Sequence, residues 1–213
     1  MFRLETQAEL DDAVARLAAK DRRLAMVVDT HGLPRLRRMP PNLESLLRIV
    51  TDQLISLKAG EAIWRRLEDR LAPFEPLTLT ACTIEELMDL GLSRAKARTF
   101  HAAADALLHG RLCLHAARTH PDQEVLRQLQ AIPGIGPWTS SIFLLFGLGR
   151  PDAWPTGDLA LQIAAMDLAG TTGRPGAAEM EALARPWQPL RGAAAHLLWS
   201  HYRGLKGIPQ SGS

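Results

Sequence analysis

The chain has 213 residues, 46% of them hydrophobic, with a formal net charge of +2 and a pI of about 8.8. This length can bury one large core or two small lobes that share an interface. The longest apolar run, IFLLFGL at 142–148, is far shorter than the roughly 20 residues that cross a bilayer, and the N-terminus lacks a signal-peptide apolar region. We therefore expect a cytoplasmic protein without a membrane partner.

The basic residues and the cysteines exclude two further classes of protein. Only four of the 25 Lys and Arg residues are lysine, at positions 20, 58, 96 and 206, so arginine carries most of the positive charge. Arginine suits bidentate phosphate contacts, but a net charge of +2 excludes binding of nucleic acid by bulk charge alone. Cys82 and Cys113 are too few for a four-thiolate iron–sulfur cluster, and we expect both to be buried and reduced.

The spacing of apolar residues predicts an all-α protein. Apolar side chains recur at intervals of three and four residues, and strict alternation is almost absent. Helix starts are marked by the capping boxes Thr6 with Glu9 and Thr83 with Glu86, and by the caps Asn42 and Ser93. We expect helices at about 6–19, 21–29, 42–54, 58–71, 83–91, 94–108, 121–133, 137–147, 158–169, 176–184 and 189–203, and a loop in the proline-rich stretch PFEPLTLTACT.

The segment IPGIGPWTS, at positions 132–140, predicts a tight hairpin between two helices. Gly134 and Gly136 can take positive φ and leave backbone amides exposed, and Pro137 suits the first position of the next helix. Such a turn presents N–H groups and the positive end of a helix dipole to an anion, so it can bind a phosphate without net charge. From the glycines alone, a plain connection between packed helices is an equally good interpretation.

Five motifs in order carry a family resemblance. They are QLIS at 53–56, GLSRAKA at 91–97, LQAIPGIGPWTSSIFLL at 129–145, RPDAWPTGDLAL at 150–161 and RPWQPLRGAAAHLLW at 185–199. Over residues of about 43–202 the chain resembles the helix–hairpin–helix (HhH-GPD) DNA glycosylase superfamily, and within it the 3-methyladenine DNA glycosylase II (AlkA-like) family. The resemblance implies a single all-α domain over 1–213, with two helical lobes, an active-site cleft between them and a helix–hairpin–helix at about 121–147. Because the N-terminal segment is short and helical, we expect no N-terminal β domain.

The resemblance also implies an activity and a catalytic residue. The expected enzyme is a monofunctional glycosylase that removes alkylated purines, of the 3-methyladenine and 7-methylguanine type, in base excision repair. The family's catalytic aspartate falls on Asp158 in PTGDLAL. A fixed carboxylate there stabilises the positive charge that builds on the sugar as the N-glycosidic bond breaks, and can orient the attacking water. By position alone Asp158 is an N-cap after Gly157, and one residue can serve both purposes.

The residue before the hairpin threonine distinguishes two classes within the superfamily. Members that also cut the DNA strand carry a lysine there, which attacks the sugar and forms a Schiff base. Trp138 holds this position here, so the resemblance implies hydrolysis by water with the strand intact. Trp138, Ile142 and Trp199 match positions of the base pocket, where indoles suit a positively charged alkylated base. The other tryptophans, Trp64, Trp154 and Trp187, are assigned to the core or its rim.

The DNA contacts that the resemblance implies fall on three segments. Leu54 in QLIS matches the leucine that fills the space of the flipped base, with Gln53 and Ser56 close to the duplex. Helical periodicity instead places Leu54 in the core, and the two interpretations conflict unless the helix ends there. The remaining contacts are Gly134, Gly136, Thr139 and Arg191, with the basic residues of GLSRAKA as supporting positive groups.

Cofactor and partner follow from the same resemblance. No cofactor is implied, apart from a Na⁺ or K⁺ ion that the family hairpin often holds through backbone carbonyls, here near Gln130, Ile132 and Ile135. The partner is double-stranded DNA with a damaged base, and we expect a monomer associated with the nucleoid. Three alternatives stay open: a glycosylase of the same fold for uracil, deaminated or etheno bases, a non-catalytic binder of damaged DNA, and a helical interaction protein without salt-dependent affinity for DNA.

Overall fold

The computed structural model describes residues 2–208, and for Leu57 the backbone alone. Within this range the secondary structure is helical and contains no β-strand, as the sequence predicts. The α-helices are α1 (Gln7–Ala18), α2 (Arg22–His31), α3 (Leu43–Asp52), α4 (Leu57–Leu71), α5 (Pro76–Ala81), α6 (Ile84–Asp89), α7 (Arg94–Leu108), α8 (Asp122–Gln130), α9 (Pro137–Ile142), α10 (Leu159–Ala169), α11 (Ala177–Ala184) and α12 (Arg191–Leu205). Two 3₁₀ turns, Ala116–Arg118 and Arg185–Trp187, and a π-helical segment, Phe143–Gly147, accompany them.

The helix starts coincide with the capping residues that the sequence shows. Thr6 and Thr83 each form a complete capping box, in which the hydroxyl accepts the amide of the third helical residue and a glutamate accepts the threonine amide. Asn42 begins α3 and Ser93 begins α7 by accepting a first-turn amide at 2.9 Å and 3.3 Å. Each cap satisfies an amide that the start of a helix leaves without an intrahelical partner.

The helices form two compact units. The first combines residues 2–38 with residues 149–208, and the second consists of residues 39–148. In the first unit α12 packs against α1, α2 and α10, and in the second unit α7 packs against α3, α5 and α6. Core residues include Leu10, Leu24, Leu161 and Leu197 in the first unit, and Leu46, Leu47, Phe100 and Phe143 in the second. None of the helices in residues 2–208 is both long and apolar enough to span a membrane.

The three tryptophans assigned to the core are buried, namely Trp64, Trp154 and Trp187. In the second unit Trp64 stacks on Phe74 with ring centroids 4.8 Å apart. In the first unit Trp154 and Trp187 meet edge to face at 5.7 Å, and the Trp187 indole N–H donates to Asp21 at 2.9 Å. These indoles therefore stabilise the two cores, as predicted.

Two parts of the helix prediction are wrong, namely the end of the third helix and the state of the stretch before Cys82. The third helix ends at Asp52 instead of continuing to Leu54. The stretch Pro76–Ala81, expected to be part of a loop, forms α5. Pro76 lies in its first turn, where the missing N–H removes no hydrogen bond, and Leu79 is buried. A proline that indicates a loop can thus equally well begin a short helix.

The prediction that both cysteines are buried is wrong, because Cys82 is partly exposed and Cys113 is exposed, whereas both are free thiols as expected. Cys82 directly follows α5, and its thiol donates to the Thr78 carbonyl at 3.3 Å. Cys113 lies in the connection between α7 and α8. At such positions a side chain has few neighbours to cover it, so the general tendency of cysteine to be buried does not determine the exposure of these two residues.

Candidate active site and nucleic-acid interface

The predicted hairpin connects α8 to α9. The chain leaves α8 at Gln130, and the Ile135 amide donates to the Ile132 carbonyl at 3.0 Å within the turn. Gly134 has a φ of +89°, as predicted, whereas Gly136 has a φ of −95°. The expectation of positive φ at Gly136 is wrong because this residue is the N-cap of α9, a position that takes extended backbone.

Gly134 is required by its surroundings as well as by its backbone. A Cβ at this position would overlap Oγ1 of Thr99 on α7, and it would lie only 3.0 Å from the Cβ of Thr99. Thr99 itself is buried, and its hydroxyl donates to the Ala95 carbonyl at 3.1 Å. By contrast, a Cβ at Gly136 would meet no described atom within 4 Å. Helix α7 therefore contacts the hairpin directly at Gly134.

The amides that the sequence predicts to bind a phosphate lie at the start of α9. Gly136 is the N-cap and Pro137 occupies the first turn. First-turn amides have no intrahelical acceptor, and the helix dipole favours an anion at this end. The Thr139 side chain is buried, and its Oγ1 accepts a hydrogen bond from Gln53 at 2.7 Å. A phosphate contact of Thr139 would thus use the backbone amide and not the hydroxyl.

The turn after α3 exposes Leu54. The helix ends at Asp52, and Leu54 takes a φ of +55° with its side chain fully exposed, at 104% of the reference area. The interpretation of Leu54 as a core residue is therefore wrong. A bulky residue in the left-handed region costs about 1–3 kcal/mol, and such strain concentrates at functional sites. An exposed, strained leucine at this position fits a side chain that enters a DNA duplex.

Gln53 and Ser56 each have a structural partner beside this turn. The Gln53 side-chain amide donates to the Gly134 carbonyl at 3.1 Å and to Thr139 Oγ1 at 2.7 Å. Ser56 is exposed and caps α4 by accepting the Ala59 amide at 3.2 Å. Gln53 thus joins the end of α3 to the hairpin. The direct DNA contacts of Gln53 and Ser56 stay predictions.

Lys96, one of the basic residues of GLSRAKA, has a specific place in the second unit. Its Nζ donates to the Thr51 carbonyl at 2.8 Å and to the Gln53 carbonyl at 2.7 Å. Burial lowers the pKa of Lys96, and the nearby charge of Asp52 opposes that change. Because helix C-termini favour cations, the ammonium group stabilises the end of α3. The sequence offers no sign of this contact, since the partners are backbone carbonyls more than 40 residues away.

Asp158 is the N-cap of α10, and two hydrogen bonds converge on one of its oxygens. Its Oδ1 accepts the Leu161 amide and the indole N–H of Trp199, both at 3.0 Å. Its own amide donates to the Pro155 carbonyl at 2.9 Å, which orders the loop before the helix. The residue is partly exposed. The cap therefore holds the carboxylate of a partly exposed residue in one orientation, and the catalytic role of Asp158 stays a prediction.

Trp199 lies half-buried on α12 beside a buried histidine. The ring of His196 meets the indole edge-on, with centroids 5.8 Å apart. Burial lowers the pKa of His196 to about 3, with smaller contributions from the positive charges of Arg37 and Arg38, so this ring is neutral near pH 7. The sequence predicts only a stacking role for the Trp199 indole and does not predict its hydrogen bond to Asp158. Nothing in the local sequence indicates a contact across 41 residues.

Helix α9 carries the two other predicted pocket residues, one helical turn apart. Trp138 is half-buried, and Ile142 is 5% exposed. Ile142 therefore packs mainly inside the second unit, and Trp138 has the more accessible side chain. Their contact with a damaged base stays a prediction.

Arg191, predicted as a phosphate contact, is engaged with two carboxylates. Its guanidinium lies 2.7 Å from Asp152 and 3.1 Å from Glu181, and only 18% of its side chain is exposed. These ion pairs join the start of α12 to α11 and to the loop before α10. Because two carboxylates already neutralise this guanidinium, the structure argues against the predicted phosphate contact.

The hairpin carbonyls offer oxygen ligands of the kind that alkali cations accept. The carbonyl of Ile132 already accepts the Ile135 amide at 3.0 Å, which uses one of its two lone pairs. The Gln130 and Ile135 carbonyls flank it along the chain, and binding of Na⁺ or K⁺ by the three stays a prediction. Within residues 2–208 no three His, Cys, Asp or Glu side chains form a group that could hold a metal ion.

Comparison with known families decides the classification. Residues 47–189 match the family described as HhH-GPD superfamily base excision DNA repair protein. The chain belongs to the HhH-GPD superfamily. The matched range includes the exposed Leu54, the hairpin and Asp158, and it ends just before α12, the helix that carries Trp199.

Several known proteins are similar to this HhH-GPD chain. A Mycobacterium tuberculosis protein named probable bifunctional transcriptional activator/DNA repair enzyme AlkA is 33% identical over 205 residues, which cover 89% of this chain and 39% of that protein. The chain thus spans about two fifths of the length of that relative. The structure of a DNA-3-methyladenine glycosidase from Bacillus halodurans has a TM-score of 0.77 at 27% identity. The similarity covers 99% of this chain and 95% of the Bacillus halodurans chain. Schizosaccharomyces pombe Mag1, a 3-methyladenine DNA glycosylase in complex with abasic DNA, shares the fold with a TM-score of 0.83 at 24% identity over 95% of this chain and 100% of that one.

Proposed function

We propose that this HhH-GPD protein is a monofunctional DNA glycosylase that hydrolyses the N-glycosidic bond of alkylated purines, of the 3-methyladenine and 7-methylguanine type, as the first step of base excision repair. The observation that carries the proposal is the Asp158 carboxylate, held at the start of α10 by the Leu161 amide and the Trp199 indole. The names of the AlkA and 3-methyladenine glycosidase relatives support it. Binding of damaged DNA alone does not need a fixed negative charge beside the phosphates.

In the proposed reaction the bond between C1′ of the sugar and the base nitrogen breaks, and its electron pair leaves with the base. Positive charge then develops on the sugar, and the Asp158 carboxylate stabilises it. The oxygen of a water molecule bonds to C1′, and Asp158 accepts the proton that this water releases. The products are the free base and an abasic site in an intact strand.

The residue before Thr139 supports hydrolysis without strand cleavage. Superfamily members with lyase activity carry an amine at this position, because an amine must attack C1′ and form a Schiff base. Trp138 has no such amine, since the nitrogen lone pair of an indole belongs to the aromatic system. We infer that borohydride traps no covalent adduct between this enzyme and DNA, and a trapped adduct would refute the monofunctional assignment.

Base recognition in this proposal relies on aromatic contact. The alkylated purines carry positive charge, and an indole face attracts a cation by about 0.5–2 kcal/mol, depending on desolvation. We propose that Trp138 and Trp199 contact the flipped base and that Ile142 supplies an apolar contact. Normal purines lack the positive charge, so this attraction favours the damaged base.

The proposed partner is double-stranded DNA with a damaged base, bound by a monomer in the cytoplasm at the nucleoid. The second unit supplies the first-turn amides of α9 for a phosphate, and Leu54 for the space that the flipped base leaves. We propose that hydrolysis needs no cofactor, because water and a carboxylate suffice for it, and that a Na⁺ or K⁺ ion at the hairpin carbonyls has a structural role.

Base release from methylated duplex DNA tests the proposal. Wild type should release 3-methyladenine and leave the strand intact until alkali is added. Asp158→Asn retains the shape of the cap and should lower release at least about 100-fold, while its affinity for abasic-site DNA changes less than about threefold. Asp12→Asn, which alters an exposed carboxylate on α1, is the matched control and should resemble wild type.

Two other results would change the assignment. Release of uracil, deaminated or etheno bases in place of alkylated purines would retain the fold and the role of Asp158 but replace the substrate class. No release of any base, with salt-dependent DNA binding retained, would indicate a non-catalytic binder of damaged DNA.

A further inference from the structure

The position of Lys96 in its own helix is unfavourable. It lies in the first turn of α7, the helix end at which the dipole disfavours a positive charge. Its Nζ instead reaches the C-terminal end of α3, where it donates to the carbonyl of Thr51 at 2.8 Å and to that of the C-cap Gln53 at 2.7 Å. The contact with α3 therefore explains why a lysine occupies a position that is unfavourable within α7.

The same region of α3 is linked to the hairpin by a side chain. While Lys96 holds the Gln53 carbonyl, the Gln53 side-chain amide donates to the Gly134 carbonyl and to Thr139 Oγ1 at 3.1 Å and 2.7 Å. The next residue is Leu54, with its φ of +55°. Gln53 is thus held through its backbone carbonyl and through its side-chain amide. The strained turn at Leu54 follows directly after this fixed residue.

Helix α7 also contacts the hairpin directly. Thr99 follows Lys96 by three residues, which places the two on the same face of the helix. Thr99 packs so closely against Gly134 that no side chain fits there. One face of α7 therefore contacts both parts of the second unit that are proposed to bind DNA, the Leu54 turn and the hairpin.

We propose that Lys96 is a positioning residue for base flipping, which fixes the Leu54 turn relative to the phosphate-binding hairpin. The inference rests on the proposed function. A wedge on a backbone that is already fixed enters the base stack at a lower cost in conformational entropy than a wedge that must first be ordered. Without the Lys96 ammonium, the end of α3 loses both of these hydrogen bonds, and Leu54 can relax from its strained conformation. The defect falls on flipping and not on bond cleavage, because Asp158 is unchanged.

Excision from two substrates with the same lesion measures this role. One duplex carries 7-methylguanine opposite cytosine, and the other carries it opposite an abasic-site analogue, where no base pair must be broken. At saturating enzyme, Lys96→Met should excise the paired lesion at least about 10-fold more slowly than wild type and the unpaired lesion within about threefold. Lys96→Arg, which retains the charge and several donors, should recover most of the rate. Lys20→Met removes the same charge from an exposed site and should change neither rate.

Two results with these substrates would overturn the inference. Equal losses on the paired and unpaired lesions would show that Lys96 affects the whole fold or the chemistry instead of flipping. Binding to undamaged duplex gives the second result. If the slope of log affinity against log salt concentration is smaller by about one unit in Lys96→Met than in wild type, the lysine contacts a phosphate.

Amide hydrogen exchange in the DNA-free protein separates this inference from the proposed function. In Lys96→Met we expect faster exchange within 53–56 and 133–139, and unchanged exchange in α10 and α12. Identical protection in Lys96→Met and wild type would overturn the inference whatever the DNA assays give. Faster exchange in these two segments, together with a wild type that releases no base, would support the link between turn and hairpin and remove the glycosylase assignment.

Discussion

The indole N–H of Trp199 donates to Oδ1 of Asp158 at 3.0 Å, and the same oxygen accepts the Leu161 amide at 3.0 Å. Asp158 begins α10, and Trp199 lies on α12, which packs against α10 in the first unit. The carboxylate is therefore oriented by two helices and not by a single loop. The tryptophan thus has a second role beside the proposed contact with the base.

Trp199→Phe should separate these two roles, because it retains an aromatic face and removes the indole donor. Hydrogen bonds to a charged group contribute about 1.5–3 kcal/mol, so the single-turnover excision rate should fall about 10- to 100-fold. The affinity for abasic-site DNA should change less than about threefold. Trp154→Phe, which alters a buried indole of the same unit, is the control and should excise at nearly the wild-type rate. A wild-type rate for Trp199→Phe would show that the bond to Asp158 does not contribute to the reaction.

Leu54→Ala should affect DNA and leave the fold intact. The Leu54 side chain is fully exposed, so the free energy of unfolding should change by less than about 0.5 kcal/mol, while excision of a paired lesion falls at least about 10-fold. Leu54→Gly should excise the paired lesion as slowly as Leu54→Ala does. Because glycine takes positive φ without strain, the melting temperature of Leu54→Gly should be no lower than that of Leu54→Ala. A large drop in the melting temperature of Leu54→Ala would contradict the exposed position.

The sequence could predict features that depend on neighbours along the chain. The all-α class and the caps at Thr6, Asn42 and Thr83 follow from short-range spacing, and the structure confirms them. The left-handed turn at Gly134 also follows from local chemistry, because glycine adopts that conformation without a steric penalty. Local physical rules therefore suffice for the fold class and for many helix starts.

Features that depend on distant partners could not be predicted. Apolar periodicity continues through Leu54, but α3 ends at Asp52. At this end Lys96 binds the Thr51 carbonyl, and the Gln53 side chain binds the hairpin. The same reason explains Arg191, which looks like a free cation in sequence but meets carboxylates 39 and 10 residues away. Long-range contacts of this kind carry no periodic signal, because each partner is an ordinary residue in its own segment.

Gly134→Ala and Gly136→Ala form a matched pair of substitutions. At Gly134 an alanine meets both the positive φ, which costs roughly 1–2 kcal/mol, and the overlap with Thr99. We expect a loss of more than about 2 kcal/mol in urea unfolding and weaker binding to abasic-site DNA. At Gly136 the φ of −95° and the open space should keep the loss below about 1 kcal/mol.

The overlap can be tested by relieving it. Thr99→Ala removes the hydroxyl that the new methyl group meets, so in the double variant it should recover part of the stability that Gly134→Ala loses. Strict additivity of the two changes would show that Thr99 does not limit the turn. Equal losses for Gly134→Ala and Gly136→Ala would contradict the distinct roles of the two glycines.

The buried ring of His196 should make stability depend on pH. Burial lowers its pKa from 6.5 to about 3, because the charged form loses hydration and Arg37 and Arg38 repel it, although the Arg35 carbonyl opposes this. Between these values the unfolded chain binds a proton that the folded protein does not, so the free energy of unfolding falls as the pH decreases. From pH 7.5 to 5 this group should remove about 2 kcal/mol. His196→Gln lacks the titration, so it should be less stable than wild type at pH 7.5 through lost packing, and the difference should narrow by about that amount at pH 5. Parallel urea-unfolding results for the two proteins at both pH values would show that His196 titrates alike in the folded and unfolded states.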